Sequence, residues 1–220
     1  MMKIPALTFA LLLTAFTAGP LAAASWGITP SAGTLGLGLS LDARVTSGVG
    51  IRLFGNTGSY SRDFQKESIA YTGKLHLQNY GVLLDLHPTG SSFRISAGVL
   101  SNSDRIDLAS KKGGTVTVNG VTYPTALIGS ITGQVKFNRT SPYLGIGRGR
   151  PPGSRFAVVF DLGVVDQGSP KLSVQPHPTA PALVPPQFYT DLEAERAKTE
   201  HDVKNDKYYP VFSIGLSFGF

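Results

Sequence analysis

Large apolar residues alternate with small or polar residues over most of the chain after residue 32. A strict period of two indicates β-strands that have two different faces. Turn-forming clusters at 45–48, 87–90, 138–141 and 150–154 separate several of the alternating segments. The pattern therefore predicts an all-β, antiparallel protein of about eight strands. The predicted strands cover residues 33–45, 48–55, 69–86, 92–100, 130–138, 142–149, 155–165 and 208–220.

Two of these regions need a further interpretation. In the segment 69–86 the apolar face changes parity halfway, which one extra residue would explain, so we expect a β-bulge near Gln78–Asn79. The long segment 101–128 contains Asn119-Gly120 between two alternating runs, a type I′ hairpin signal. We expect this hairpin to lie outside the strand wall.

The stretch before the last predicted strand has a different composition. Residues 176–187 are rich in proline, which favours a linker over a strand or helix. Thr190 and Glu193 then have the spacing of a capping box and predict a short, polar, solvated helix. We treat 176–207 as an insertion, formed by the linker and the polar helix, before the last strand.

The N-terminus has the composition of a secretory signal peptide. Lys3 precedes an apolar run at 6–16, which is too short for a membrane-spanning helix of about 20 residues, and small residues follow. The sequence predicts a signal peptide at 1–24 and one domain at 25–220. The chain has no cysteine, so neither disulfides nor thiol chemistry are available to that domain.

The distribution of charge over the two strand faces indicates an inside-out protein. The large apolar face carries almost no charge in mid-strand, and eight strands enclose too little space for so many Leu and Phe side chains. If that face contacts lipid instead, the chain is a transmembrane β-barrel with small and charged residues in its lumen, where both signs can pair. The predicted lumen charges are Asp42, Arg52, Lys74, Asp85, Arg94, Lys136 and Asp161. The net charge of +6 is modest and scattered, so nucleic acid is not an expected partner.

The final strand, VFSIGLSFGF, resembles the C-terminal signal strand of Gram-negative outer-membrane proteins, and FNRTSPYLGIGRG and DLHPTGSSFRISAG are similar to strand starts and turns common among small barrels. The mature chain as a whole resembles the OmpA/OmpW-like barrel group in its pattern. This resemblance implies location in the cell outer membrane, a monomer, and recognition of the last strand by the barrel-assembly machinery. The residues that match the signal are Phe212, Ile214, Leu216, Phe218 and Phe220.

One feature conflicts with the group. Counted from a first strand at 33–45, the short turns near 46, 88 and 140 fall on the outer side, whereas such barrels have short periplasmic turns and long outer loops. Either strands near 25–31 or 170–175 are missing from the count, or the barrel is atypical.

Candidate chemistry is sparse. Arg148, Arg150 and Arg155 form a basic cluster that could contact lipopolysaccharide phosphates, although a solvated turn is the alternative interpretation. We place His76 in the lumen as a packing residue. The chain has no motif of the barrel phospholipases, lipid A deacylases or omptin-type proteases and no ligand pair at metal spacing, so no enzyme activity, cofactor or metal is expected.

These observations predict an integral outer-membrane barrel with a structural, interaction or envelope-maintenance role. A narrow channel or transporter for small or hydrophobic molecules is the alternative, and a lipid-modifying barrel enzyme is less favoured. The expected partners are outer-membrane lipids, lipopolysaccharide and, during biogenesis, the barrel-assembly machinery.

Overall fold

The computed structural model describes residues 25–66, 69–110, 114–151 and 154–220. The predicted signal peptide, residues 1–24, lies outside the described residues. Strands make up most of the rest, with helices α1 (Thr125–Ile128) and α2 (Pro186–Val203) and a 3-10 turn at Pro181–Leu183. The strands are β1 (Ser25–Gly33), β2 (Gly36–Arg44), β3 (Val49–Lys66), β4 (Ile69–Leu86), β5 (Phe93–Asn102), β6 (Arg105–Ser110), β7 (Thr115–Val118), β8 (Val121–Pro124), β9 (Ser130–Lys136), β10 (Thr140–Arg148), β11 (Phe156–Asp166), β12 (Lys171–His177) and β13 (Tyr208–Gly219).

Eight strands close into an antiparallel barrel. They pair in the cyclic order β1, β2, β3, β4, β5, β10, β11 and β13, and β13 returns to β1. Closure removes the unpaired sheet edges that an open sheet would expose. The predicted fold, a closed antiparallel barrel of eight strands, is confirmed.

The membership of the barrel wall differs from the prediction in two strands. β1 belongs to the wall, whereas β9, which covers most of the predicted strand 130–138, lies outside it. β1 has the sequence SWGITPSAG, whose few large residues give a weak periodic signal. β9 alternates clearly but pairs with β6 and β12 instead of with wall strands. Two further strands absent from the prediction, β6 and β12, also lie outside the wall.

The added strand β1 removes the conflict over sidedness. The short connections at 45–48, 87–92 and 149–155 leave the barrel at the end that also holds Ser25 and Phe220, which we call the turn end. The long connections 103–139 and 167–207 leave at the opposite end, the loop end, where the two-residue β1–β2 connection at 34–35 also lies. This is the arrangement of outer-membrane barrels, with short turns on the side of the termini and long loops on the other.

The barrel wall is apolar on the outside. Leu39 and Phe160 point outward and are 54% and 46% exposed, whereas Arg94 and Asp161 point inward and are 5% and 7% exposed. Such an outer surface is unfavourable in water and favourable in hydrocarbon. The predicted inside-out orientation of the two strand faces is confirmed.

Beyond the loop end, the β3–β4 hairpin continues into a second sheet. The first half of β4 pairs with β6, which pairs with β9, which pairs with β12, and we call these four segments the loop-end sheet. One face of this sheet is polar and faces outward, and the other is apolar and lies beneath the β7–β8 hairpin and helix α2, which cover part of it. That is the arrangement of a sheet in water, opposite to that of the barrel.

The predicted β-bulge near Gln78–Asn79 is wrong. β4 keeps one uninterrupted register with β3 along its whole length. The chain that pairs with the other edge of β4 is interrupted between β5 and β6. At this break the Ser103 amide donates to the Gln78 carbonyl at 2.9 Å, and the Gln78 amide donates to Asp104 Oδ1 at 2.7 Å. The apolar face changes parity because β4 passes from a lipid-facing barrel into a sheet whose apolar side faces inward.

A hairpin packs over the loop-end sheet. β7 and β8 form the separate two-stranded sheet expected from Asn119-Gly120, and both turn residues have positive φ, 50° and 79°. The predicted hairpin outside the strand wall is therefore confirmed.

Helix α2 covers the same sheet but begins earlier than the sequence suggested. Its N-cap is Pro185 and its first residue is Pro186, so Thr190 lies inside the helix and the predicted capping box is wrong. Proline suits the first helical turn because its missing N–H is not needed there. Nor is the helix fully solvated, since Phe188 and Leu192 are buried in an apolar cluster with the hairpin. No helix among the described residues is both long enough and apolar enough to cross a membrane.

Candidate functional site

A network of four charged residues crosses the barrel lumen. Arg52 donates from Nη1 to Asp161 Oδ2 at 2.9 Å and from Nη2 to Asp85 Oδ1 at 2.8 Å. Arg94 donates from Nη2 to Asp161 Oδ2 at 2.8 Å. Ser96 Oγ completes the network with a 2.5 Å hydrogen bond to Asp85 Oδ1. Two arginines and two aspartates balance in charge, which is how buried ions are tolerated.

Of the other three predicted lumen charges, Asp42 lies in the lumen and Lys74 and Lys136 do not. Asp42 is at the edge of the network, where it accepts a 2.8 Å hydrogen bond from Thr29 Oγ1 and its Oδ1 lies 3.9 Å from Arg52 Nε. Lys74 and Lys136 are not in the lumen. β4 has already left the barrel at Lys74, and β9 is not a wall strand, so both lysines project from the polar outer face of the loop-end sheet.

His76 lies on that same outer face, so its predicted lumen position is also wrong. Its Nε2 is 3.4 Å from Asp107 Oδ2, and both side chains are about one-third exposed. Within the described residues, no group of three or more His, Cys, Asp or Glu side chains has an arrangement that could hold a metal ion.

An apolar layer, which we call the lumen plug, lies on the loop-end side of the charge network. Its central aromatic residue is Tyr143. A Cβ added at Gly145 or Gly163 would lie within 2.4 or 2.5 Å of Tyr143 Oη, so the two glycines make room for the phenol ring. The free space between the network and the plug is only about 60 Å³. The members of the plug are Leu35, Leu83, Leu100, Tyr143, Val165 and Val211.

The three predicted lipopolysaccharide contacts lie at the turn end. Arg150 Nη2 donates to Ser25 Oγ at 2.5 Å and to the Trp26 carbonyl at 3.0 Å, so it ties the 149–155 connection to the start of β1. Arg148 and Arg155 are exposed. In outer-membrane barrels the end with short turns faces the periplasm, away from the lipopolysaccharide leaflet. Their position therefore favours the alternative interpretation, a solvated and partly structural turn.

The largest described cavity lies at the loop end, outside the barrel. It has a volume of about 690 Å³ and lies between the apolar face of the loop-end sheet, the β7–β8 hairpin and helix α2. The sequence interpretation treated 101–128 and 176–207 as connections and so did not predict this loop-end cavity. The parity change in β4, which places Leu75 and Leu77 on its wall, was the signal that could have revealed it.

A polar latch on Asp191 holds the hairpin against α2. Tyr123 Oη donates to Asp191 Oδ2 at 2.5 Å, and Asn119 Nδ2 and Gln187 Nε2 donate to Asp191 Oδ1 at 3.2 and 3.1 Å. The hydrogen bond to the carboxylate raises the pKa of Tyr123 to about 12. The same bond lowers the pKa of Asp191, since it favours the ionised carboxylate.

The closed wall, the apolar outer band and the filled, charge-paired lumen define a small barrel of the outer-membrane type. In solved structures the chain is similar to CarO2 of Acinetobacter baumannii, with a TM-score of 0.59 and 23% identity over 89% of this chain and 98% of that one. It is also similar to CarO of the same organism, with a TM-score of 0.61 and 21% identity over 92% of this chain and 100% of that one. No family model and no curated protein matches the chain. At this level of identity, the likeness shows a shared fold.

Proposed function

We propose that this protein is an integral barrel of the bacterial outer membrane with a structural or interaction role, and that its barrel anchors an extracellular loop-end domain. The observation that carries the proposal is the closed lumen. The Arg52–Asp85–Arg94–Asp161 network and the lumen plug fill it at two successive levels along the barrel axis. The apolar outer band and the closed eight-stranded barrel support the membrane location, as does the signal-peptide pattern of residues 1–24.

The closed lumen argues against an open diffusion pore. Eight strands enclose an interior that side chains can fill, and here the space around the plug is about 60 Å³. A narrow channel or transporter would require the plug and the network to move apart, which means separating buried ion pairs in a low-dielectric interior.

Planar-bilayer recording of the purified, refolded protein tests this proposal. We expect no steady single-channel current from the wild type. A porin, whose wider barrel leaves an aqueous channel, is recorded in the same bilayers as the positive control, because its current shows that the assay detects an open lumen. A steady current from the wild type would contradict the proposal and favour the channel alternative. Recovery of the protein outside the outer-membrane fraction would refute the membrane location.

A further inference from the structure

The two sides of the loop-end cavity do not match in polarity. The sheet side presents half-buried apolar side chains from every strand, including Leu75, Ile106, Val135 and Leu172. The first half of α2 covers its share of the sheet with Phe188 and Leu192, which are buried there.

The second half of α2 leaves its share of the sheet uncovered. It turns Glu195, Arg196 and Thr199 toward the cavity, with Val203 as its one apolar contribution. Arg196 Nη1 reaches the Leu172 carbonyl at 3.4 Å and holds the helix over the sheet without filling the space. A wide apolar surface thus faces open volume instead of packed side chains, which is unusual in a protein interior.

The size and shape of this space fit a small ligand. A volume of about 690 Å³ lies within the range of roughly 300–1,000 Å³ that is common for small-molecule sites. The hairpin, the helix and the barrel rim enclose it on several sides, so the space is concave and unlike a flat protein-docking surface.

The rim of the cavity carries an excess of negative charge. Glu195 and Asp206 lie on it with one cation, Arg196, and the buried Asp104 lies in the cavity wall. That cation is already paired, since Arg196 donates to both carboxylate oxygens of Glu193 and to Glu200. An anionic ligand would therefore meet repulsion, and a neutral or cationic polar group would be accepted.

We propose that the loop-end cavity binds a small, mainly apolar molecule whose polar group is neutral or positively charged. This ligand site goes beyond the proposed function, because an anchored, closed barrel requires no such site. The two are separable by experiment, since conductance reports on the lumen and ligand binding reports on the loop-end domain.

Binding is measured with the full chain in lipid nanodiscs and aminoanthracene, a neutral apolar fluorophore, with empty nanodiscs as the blank. Gly133 offers a clean way to fill the cavity, because a Cβ there meets Leu108 only at an ordinary contact distance of 3.6 Å. We expect saturable binding to the wild type and a loss of about tenfold or more in affinity in Gly133→Phe. Ser173→Phe is the matched control, because Ser173 is exposed on the opposite, polar face of the same sheet, and it should bind as the wild type does.

Competition identifies the polar group. Hexylamine, hexanol and hexanoate have equal chains and differ in head-group charge, and all three dissolve in water. We expect the amine and the alcohol to displace the fluorophore at concentrations about five- to tenfold lower than the carboxylate does. In a double variant with Glu195→Gln and Asp206→Asn, the three compounds should displace the fluorophore at nearly equal concentrations.

Any one of four outcomes would overturn the proposal. The first is fluorophore binding no greater than that of empty nanodiscs. The second is equal binding by Gly133→Phe and the wild type while both show the heat-modifiable migration of a folded barrel. The third is tighter binding of hexanoate than of hexylamine. Because Leu108→Gln removes apolar wall surface without adding bulk, it must also weaken binding, and unchanged affinity in a folded Leu108→Gln protein would count equally against the site.

Discussion

Replacing Asp161 by Asn tests the charge network of the lumen most directly. Asp161 accepts hydrogen bonds from both arginines, Arg52 at 2.9 Å and Arg94 at 2.8 Å. Asn has nearly the same shape but no charge, so Asp85 would be the one close carboxylate left for two buried guanidinium groups, with Asp42 3.9 Å from Arg52 Nε. Removing one partner of a buried ion pair costs about 3–5 kcal/mol because the remaining charge stays uncompensated. We expect the free energy of unfolding to fall by about that amount, while the variant still inserts into the membrane.

A second substitution shows whether charge is the cause. Arg94→Gln in the Asp161→Asn background restores neutrality and leaves the Arg52–Asp85 pair, whose atoms lie 2.8 Å apart. The double variant should be more stable than the sum of the two single losses predicts, with a coupling free energy of about 1–3 kcal/mol. Asp202→Asn, at an exposed carboxylate on α2, should change the stability by less than about 0.5 kcal/mol.

Urea unfolding in detergent micelles measures these differences. The chain has one tryptophan, and Trp26 lies on the outer face of β1 at 44% exposure, so its emission should shift to longer wavelength when the barrel opens into water. A loss below about 1 kcal/mol in Asp161→Asn, or strictly additive effects in the double variant, would refute the account of the lumen as a charge-compensated, buried network.

Three further predictions concern the lipid face, assembly and the latch. Leu216→Arg places a charge on the outer wall and should cost about 2–4 kcal/mol near the bilayer midplane, seen as poor insertion into vesicles, whereas Ser173→Arg on the loop-end sheet should insert normally. Deletion of Phe220 should leave exported protein unassembled and sensitive to protease, and normal heat-modifiable migration of the deletion variant would contradict the assembly-signal interpretation. Hydrogen bonding raises the pKa of Tyr123 from 10.0 to about 12 and lowers that of Asp191 below 3.8. The latch should therefore be intact at neutral pH, where Tyr123 is protonated and Asp191 is ionised. Its stabilisation should be lost as the pH rises from about 10 through 12 and as it falls below about 4 through the lowered pKa of Asp191. Absorbance titration should then show that the tyrosine missing from Tyr123→Phe is one that titrates near pH 12 in the wild type, and a missing tyrosine with an ordinary pKa near 10 would exclude the latch.

The sequence alone determined the class of fold. Alternation with period two defined strands, and the uncharged large face showed that the apolar side of the barrel points outward, because eight strands have no room for it inside. The Asn119-Gly120 hairpin was also readable locally, since the positive φ of a type I′ turn restricts the residues that can form it. These features depend on residues that are neighbours in the chain, or on the side-chain volume that eight strands can enclose, and both can be obtained from the sequence.

Only the tertiary structure decided which strands form the wall and where the cavity lies. β1 has only a weak periodic signal, yet it belongs to the wall, and β9 alternates clearly, yet it lies outside the wall. A period of two cannot say whether a strand's partners are in the barrel or in another sheet, because pairing is non-local. The parity change in β4 looked like a bulge, yet its cause is the medium. In the barrel, β4 turns its apolar side outward to lipid. In the loop-end sheet, the same strand turns its apolar side inward and its polar side to water. Lys74 and His76 were misplaced for that reason, and Lys136 was misplaced because β9 is not a wall strand. The loop-end cavity arises from the distance between the sheet and α2, which no single segment of sequence specifies.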